Sequence, residues 1–165
     1  MLSIDDFIYT EERIGKDRKP FIIHKIRSME KNARDRQDDE DIASLIRTEH
    51  DPRITMVGKY LRRYAIDELL QIPNLLRGEM VFIGIRAMQP GIFEELPWDI
   101  QEWIAEHGAA FADVKYAYKP GLTDEEKINL WRKYIEEKGR HATLTDVKYS
   151  FMILYNVVFK GRRTV

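Results

Sequence analysis

Glycine and proline punctuation most limits the folds open to this chain. Gly15 and Pro20, Pro52, Pro73, Gly78, Pro90 with Gly91, Pro97, Pro120 with Gly121, and Gly139 cut 165 residues into short segments. Each proline fixes φ and removes a backbone donor, and each glycine admits left-handed backbone, so turns and element ends belong there. The stretch "FIYTEERIGKDRKPFIIHKIRSM" (7–29) reads as two β segments around the turn "GKDRKP", the second over residues 21–26, where β-branched residues are enriched. "MVFIGIR" (80–86) is a buried strand by its unbroken apolar run. The remaining segments carry helical signals. The expected fold is therefore α+β: a small β-hairpin or sheet packed with several amphipathic helices, as a single compact domain over residues 1–165.

The helical segments have identifiable ends. "DPRITMVGKYLRRY" (51–64) begins with Asp51 at the N-cap and Pro52 at the first helical position, and Ile54, Val57, Leu61 and Tyr64 form one apolar stripe. "IDELLQIPNLLRG" reads as a second helix with Asp67 near its start, a bend at Pro73 and a stop at Gly78. Residues 90–111 give two short helices broken at Pro97, and residues 114–123 are extended up to a Pro-Gly turn. Thr123 and Glu126 form a capping box for a helix that Gly139 ends. In the last helix, residues 151–159 are apolar nearly all round except Asn156, so it is either deeply buried or lies on a membrane surface. Residues 30–50 read as a polar loop holding a helical piece around residues 42–47.

Composition narrows the chemistry. A formal net charge of -1 provides no overall basic field, which argues against a nucleic-acid partner. With no cysteine, disulfides and thiolate metal sites are excluded, and reactivity must come from carboxylates, histidine, lysine, arginine or hydroxyls. No segment approaches the ~18 to 20 apolar residues that span a bilayer. His24, His50, His107 and His141 lack metal-ligand spacing, and no P-loop, nucleophile elbow or dinucleotide fingerprint occurs.

Three Asp-Glu pairs occur, and context separates them. Asp124-Glu125 sits in a helix first turn, where carboxylates offset the helix dipole, and Asp39-Glu40 lies in an acidic run. Asp67-Glu68 stands between arginines and a leucine run. On local grounds two readings fit Asp67 equally, a helix cap and a carboxylate kept ionised near a helix start and able to attack phosphorus. In the second reading Glu68 holds Mg2+, an ion that prefers oxygen ligands and substrate phosphates. Lys25, Arg27, Arg62 and Arg86 would then bind a diphosphate, the arginines through their planar fork.

The string "ERIGKDRKPFIIHKIRSM", followed by "DPRITMVGKYLRRYAIDELLQIPNLLRGEM", "IGIR" and "KPGLT", resembles the catalytic domain of the bacterial sugar transferases, the monotopic phosphoglycosyl transferases. The resemblance is continuous up to Arg86 and patchy after Thr123. It implies transfer of a sugar 1-phosphate from a UDP-sugar to a polyprenyl phosphate, the first membrane step of polysaccharide or glycoconjugate synthesis. Asp67 would be the nucleophile, forming an aspartyl-phosphosugar intermediate, and Glu68 the second member of the dyad, contributing to Mg2+ binding. Lys25 and Arg27 match the family's Lys-x-Arg-Ser-Met motif, Arg62 an arginine five residues before the nucleophile, and Arg86 the arginine of Gly-Pro-Arg-Pro. A cytoplasmic protein peripheral to the inner membrane face is implied, with Lys160, Arg162 and Arg163 after the last helix placed to meet anionic headgroups.

Three departures from the pattern are visible. The family's N-terminal re-entrant membrane helix is not among these residues, "GIRA" (84–87) lacks both prolines, and "DEEKINLWRKYIEEKGRH" follows "KPGLT" where relatives continue toward a further functional Asp. These departures keep a second reading open, a non-catalytic relative that binds nucleotide sugar, polyprenyl phosphate or a full-length transferase and regulates assembly.

Overall fold

A computed structural model describes residues 6–30, 53–119 and 121–159. The hairpin forms as the turn signals require: β1 (Ile8–Ile14) pairs antiparallel with β2 (Pro20–Ile26), with Glu11 opposite Ile23 and Arg13 opposite Phe21. Side chains alternate across a strand, so Glu11, Arg13, Phe21, Ile23 and Lys25 all turn inward. Phe21 and Ile23 enter the main core, whereas Glu11, Arg13 and Lys25 form a polar patch beside it.

The first helix, α1 (Met56–Arg63), starts later than its sequence signals indicate. Thr55 is the cap, its Oγ1 accepting from the Gly58 amide at 2.9 Å, while Asp51 and Pro52 lie outside the described residues, as does the helical piece expected around residues 42–47. Gly58 is the one buried residue of α1, because the helix there lies directly on the Ser28 carbonyl. A Cβ at Gly58 would sit 1.9 Å from that oxygen. The expected stripe is split: Ile54 is buried ahead of the helix and Leu61 is half-buried, but Val57 and Tyr64 face outward with Met56 and Tyr60.

The second expected helix is two pieces, a 3-10 helix over Ile66–Gln71 and then α2 (Ile72–Leu76). Pro73 sits in the first turn of α2, where its missing N–H costs nothing, and Gly78 at φ 72 supplies the left-handed stop. β3 (Val81–Gly84) follows and pairs in parallel with β4 (Ala110–Asp113), a strand that the residue pattern did not single out. The small side chains of Ala109 and Ala110 carry no strand periodicity, yet they let β4 approach closely enough for the Ala110 amide to reach the Ile85 carbonyl at 2.7 Å. Between the strands run α3 (Pro90–Glu95) and α4 (Trp98–His107), separated at Pro97 as expected. Residues 114–123 are not extended throughout, since Val114–Ala117 form a 3-10 turn capped by Asp113 Oδ1.

Both arms of the Thr123–Glu126 capping box are present at the start of α5 (Asp124–Arg140). The helix runs through Gly139 to Arg140 and ends at His141, whose φ of -147 leaves helical space; a glycine stops a helix only when it turns left-handed, and Gly139 does not. α6 (Ala142–Phe159) packs back on α5, locked by Tyr134 Oη donating to Asp146 at 2.7 Å and Lys138 Nζ donating at 2.9 Å. Trp103, Trp131, Tyr134 and Tyr149 join Ile83, Ile85, Ile100 and Ile104 in one core, so the two-strand sheets and helices share a single hydrophobic centre. α6 is neither wholly buried nor wholly exposed. Thr145, Tyr149 and Asn156 face the core, and Phe151, Leu154, Tyr155, Val158 and Phe159 face outward. Among the described residues no helix is long and apolar enough to cross a membrane.

Gly58→Ala should cost about 3 kcal/mol or more in a denaturant titration, because the clash is with backbone and no rotamer relieves it. A change within about 0.5 kcal/mol would show that α1 does not rest on Ser28.

Candidate functional site

Asp67 and Glu68 occupy the second and third positions of the Ile66–Gln71 3-10 helix, and both are buried, at 5% and 2% exposure. Ala65 holds the cap position with a left-handed φ of 60, so Asp67 is not the cap that local reasoning allowed. A non-glycine residue in that region carries a cost of roughly 1 kcal/mol, which the surrounding packing must offset. The turn packs chiefly against β2, the strand carrying Lys25.

Residues 66–76 turn their polar side chains inward and most of their large apolar ones outward, with Leu75 half-buried against the core. Asp67, Glu68, Gln71 and Asn74 point into the protein, whereas Ile66, Leu69, Ile72 and Leu76 are exposed, Leu76 at 83%. Asn74 Nδ2 is satisfied by the Ile22 carbonyl at 2.7 Å and by Glu79 at 2.8 Å. A soluble surface orients such a segment the other way round.

The expected site residues divide into groups. Arg86, buried just beyond β3, donates through Nη2 to Glu68 Oε1 and through Nη1 to the Tyr116 hydroxyl at 3.2 Å. Burial alone would make its guanidinium easier to deprotonate, but the Glu68 carboxylate outweighs this and raises its pKa, so the pair is ionic. Arg86, expected on a diphosphate, thus also touches the dyad through Glu68. Arg62 on α1 donates through Nε to Ser28 Oγ at 2.8 Å, which ties the helix to the segment holding Lys25 and Arg27. Arg27 reaches the Ile8 carbonyl at 3.4 Å and lies 5.8 Å over the Tyr9 ring, bracing the hairpin. Lys25 is buried, with Nζ 3.8 Å from Glu11 Oε2.

Glu11 is the residue that sequence reasoning missed. Its carboxylate accepts from Arg13, Gln89 and, at 3.0 Å, Tyr9 Oη, while Arg13 Nη1 donates to the Ala87 carbonyl at 2.9 Å. Burial acts to raise the Glu11 pKa, but the Arg13 and Lys25 charges and the hydrogen bonds from Arg13 and Gln89 prevail and lower it from 4.5 to about 2. The available signal was the spacing of Glu11 and Arg13, two opposite charges two positions apart and so on one face of a strand. Tyr116 was missed too, because the chain around it was read as simply extended.

For Mg2+ the donor chemistry fits. Two adjacent carboxylates offer hard oxygen ligands, and this ion commonly takes one or two protein carboxylates and completes its shell with water and substrate phosphates. No group of three or more candidate ligands occurs among the described residues. Of the described histidines, His24 is an exposed strand residue with Nδ1 3.2 Å from Thr10 Oγ1, and His107 stacks on Trp103, while His50 lies outside the described residues.

The Glu11 pKa makes stability depend on acid. A depressed folded pKa contributes stability that is full above the unfolded value near 4.5 and is lost as pH falls toward about 2. The span corresponds to about 3 kcal/mol. Urea unfolding should weaken by about that amount between pH 5 and pH 2 beyond the loss in Glu11→Gln, measured side by side; equal acid sensitivity of the two proteins would remove Glu11 from the account.

Residues 2–159 match the family model described as bacterial sugar transferase. A Bacillus subtilis (strain 168) protein, described as a candidate undecaprenyl-phosphate N-acetylgalactosaminyl 1-phosphate transferase, is 37% identical over 66% of this chain and 58% of its own length. The Escherichia coli (strain K12) UDP-glucose:undecaprenyl-phosphate glucose-1-phosphate transferase is 30% identical over 93% of this chain. An Erwinia amylovora UDP-galactose-lipid carrier transferase is 33% identical over 90% of it. The chain spans only 32% and 28% of the lengths of the last two relatives.

Proposed function

Because the chain belongs to the bacterial sugar transferase family, we propose that it moves a sugar 1-phosphate from a UDP-sugar to a polyprenyl phosphate at a membrane surface, with Asp67 as nucleophile. The observation that carries this reading is the inverted segment 66–76, which buries the dyad on one side and offers apolar side chains on the other. A polyprenyl phosphate arrives from a bilayer, and its phosphate must reach a carboxylate that water does not flood.

An Asp67 oxygen attacks the β-phosphorus of the UDP-sugar, the bond to the bridging oxygen breaks, and UMP leaves with the electron pair. The resulting aspartyl-phosphosugar is attacked by a polyprenyl phosphate oxygen, which regenerates the Asp67 carboxylate and yields polyprenyl diphosphosugar. Glu68, paired with Arg86, stands beside the nucleophile. Asp67 and Glu68 would hold Mg2+, which when bound neutralises charge on the substrate phosphates. Lys25 and Arg62, on the two elements flanking the dyad turn, supply positive charge toward a diphosphate, and Arg27 keeps the hairpin that carries Lys25 in place.

The membrane contact assigned here is α1, the 3-10 turn and α2. Met56, Val57, Tyr60 and Tyr64 form an exposed apolar arc on α1, edged by Lys59 and Arg63, and Ile66, Leu69, Ile72 and Leu76 extend it. An apolar arc with a basic edge suits an anionic bilayer. Sequence reasoning had looked to the last helix and its basic tail, and Lys160, Arg162 and Arg163 lie outside the described residues.

Two measurements test this. With Mg2+, UDP-sugars and polyprenyl phosphate the protein should release UMP and carry a phosphosugar adduct by mass spectrometry, and Asp67→Asn should lower turnover on the order of 10^4-fold and remove the adduct. Undiminished turnover in that variant would reject Asp67 as nucleophile, and chelation that leaves turnover intact would reject Mg2+. In flotation with anionic phosphatidylglycerol vesicles, Tyr60→Glu with Leu69→Glu should reduce binding about tenfold or more, each charge costing roughly 1 to 3 kcal/mol at an apolar interface. Equal flotation of variant and parent would move the contact elsewhere.

A further inference from the structure

The stretch 151–159 of α6 has one polar side chain, Asn156, and it is buried at 6% exposure. A buried amide costs stability unless its hydrogen bonds are made. Asn156 Nδ2 donates to the Tyr116 carbonyl at 3.1 Å, across 40 residues of sequence. The hydroxyl of the same tyrosine accepts from Arg86 Nη1 at 3.2 Å, and Arg86 Nη2 donates to Glu68. Four residues from four parts of the chain are therefore joined in series, from the last helix through the Tyr116 carbonyl and hydroxyl to the dyad.

The 3-10 turn that carries Tyr116 is held from its other end as well. Asp113 Oδ1 accepts from the Lys115 amide at 2.9 Å and from Trp131 Nε1 at 3.0 Å, so α5 grips the start of the turn while α6 grips its carbonyl. Such double anchoring leaves the Tyr116 hydroxyl little freedom, and a fixed hydroxyl on Nη1 with a carboxylate on Nη2 fixes the guanidinium plane. With Glu68 as its sole anchor, a guanidinium can swing about that contact.

We propose that Tyr116 is a positioning residue for the Arg86–Glu68 pair and that Asn156 anchors it, making α6 part of the site's support. The inference rests on the transferase reading for its kinetic consequence but not for its structural one. Loss of a hydrogen bond to a charged group is worth about tenfold or more when it sets reacting geometry. The mechanism above uses neither residue.

The test uses the full chain with 15N-arginine, the Arg86 guanidinium signals being those absent from Arg86→Lys. In the parent, hindered rotation should give separate Nη signals; in Tyr116→Phe and in Asn156→Leu these should coalesce while the melting temperature stays within a few degrees. In the same variants kcat for UMP release should fall about tenfold with KM for the UDP-sugar moving less than about twofold. Unchanged Arg86 signals in both variants would overturn the proposal, and a change in Tyr116→Phe alone would overturn the part given to Asn156. A parent that releases no UMP with any UDP-sugar counts against the transferase reading, and the guanidinium signals still decide the relay.

Discussion

A carboxylate buried as deeply as Glu68 is tolerable only with a counter-charge in contact, and the Arg86 guanidinium is that charge. Much of the fold follows from having to bring the two together. Glu68 rides on the turn that lies against the hairpin, whereas Arg86 follows a strand of the separate β3–β4 sheet. The core of Ile83, Ile85, Ile100, Ile104 and Trp131 sets where that strand ends, so apolar packing far from the dyad decides where the arginine stands. A buried pair of this kind gives little net stability, because desolvation cancels most of the attraction, and its value is the geometry it enforces.

The hairpin solves the same problem a second time. Glu11, Arg13 and Lys25 are three charges on the inward face of two strands, and they are tolerated because Tyr9, Gln89 and the Ala87 carbonyl complete their hydrogen bonding. Arg13 and Gln89 connect this cluster to residues 87–89, immediately after Arg86, so the two charged groups brace the same stretch of chain. Lys25 thus comes to the dyad turn on a strand that is rigid on its polar side as well as its apolar side.

What the residues revealed and what they hid follow a physical division. Local chemistry was legible: the "GKDRKP" turn, the break at Pro97 and the Thr123–Glu126 box depend on residues within a few positions of one another, and all three stand. Asp67 and Glu68 were legible as candidates because two carboxylates in an apolar run have no packing reason to be there. Hidden were features set by distant partners. β4 is made by pairing across 29 positions, as between Val81 and Ala110, and its alanines advertise nothing. Nothing in the residues around Gly58 announces the Ser28 carbonyl that lies against it. The contact of Arg86 with Glu68 was hidden for the same reason, since it joins residues 18 positions apart.

The orientation of α1 shows most sharply why periodicity alone misleads. Its apolar spacing was read correctly, but an apolar stripe says only that one face avoids water, not which body covers it. Packing divided the stripe: Gly58 and Arg62 turn toward Ser28, Ile54 is buried, and Met56, Val57, Tyr60 and Tyr64 turn away. The next segment repeats the choice, with Asp67, Glu68, Gln71 and Asn74 inside. These two consecutive segments, the second carrying the dyad, have the arrangement that the proposed membrane contact would require, a low-dielectric medium outside the protein and the polar chemistry within it. Under that condition the carboxylates of residues 67 and 68 interrupt no core; they are the interior of a segment whose exterior is apolar.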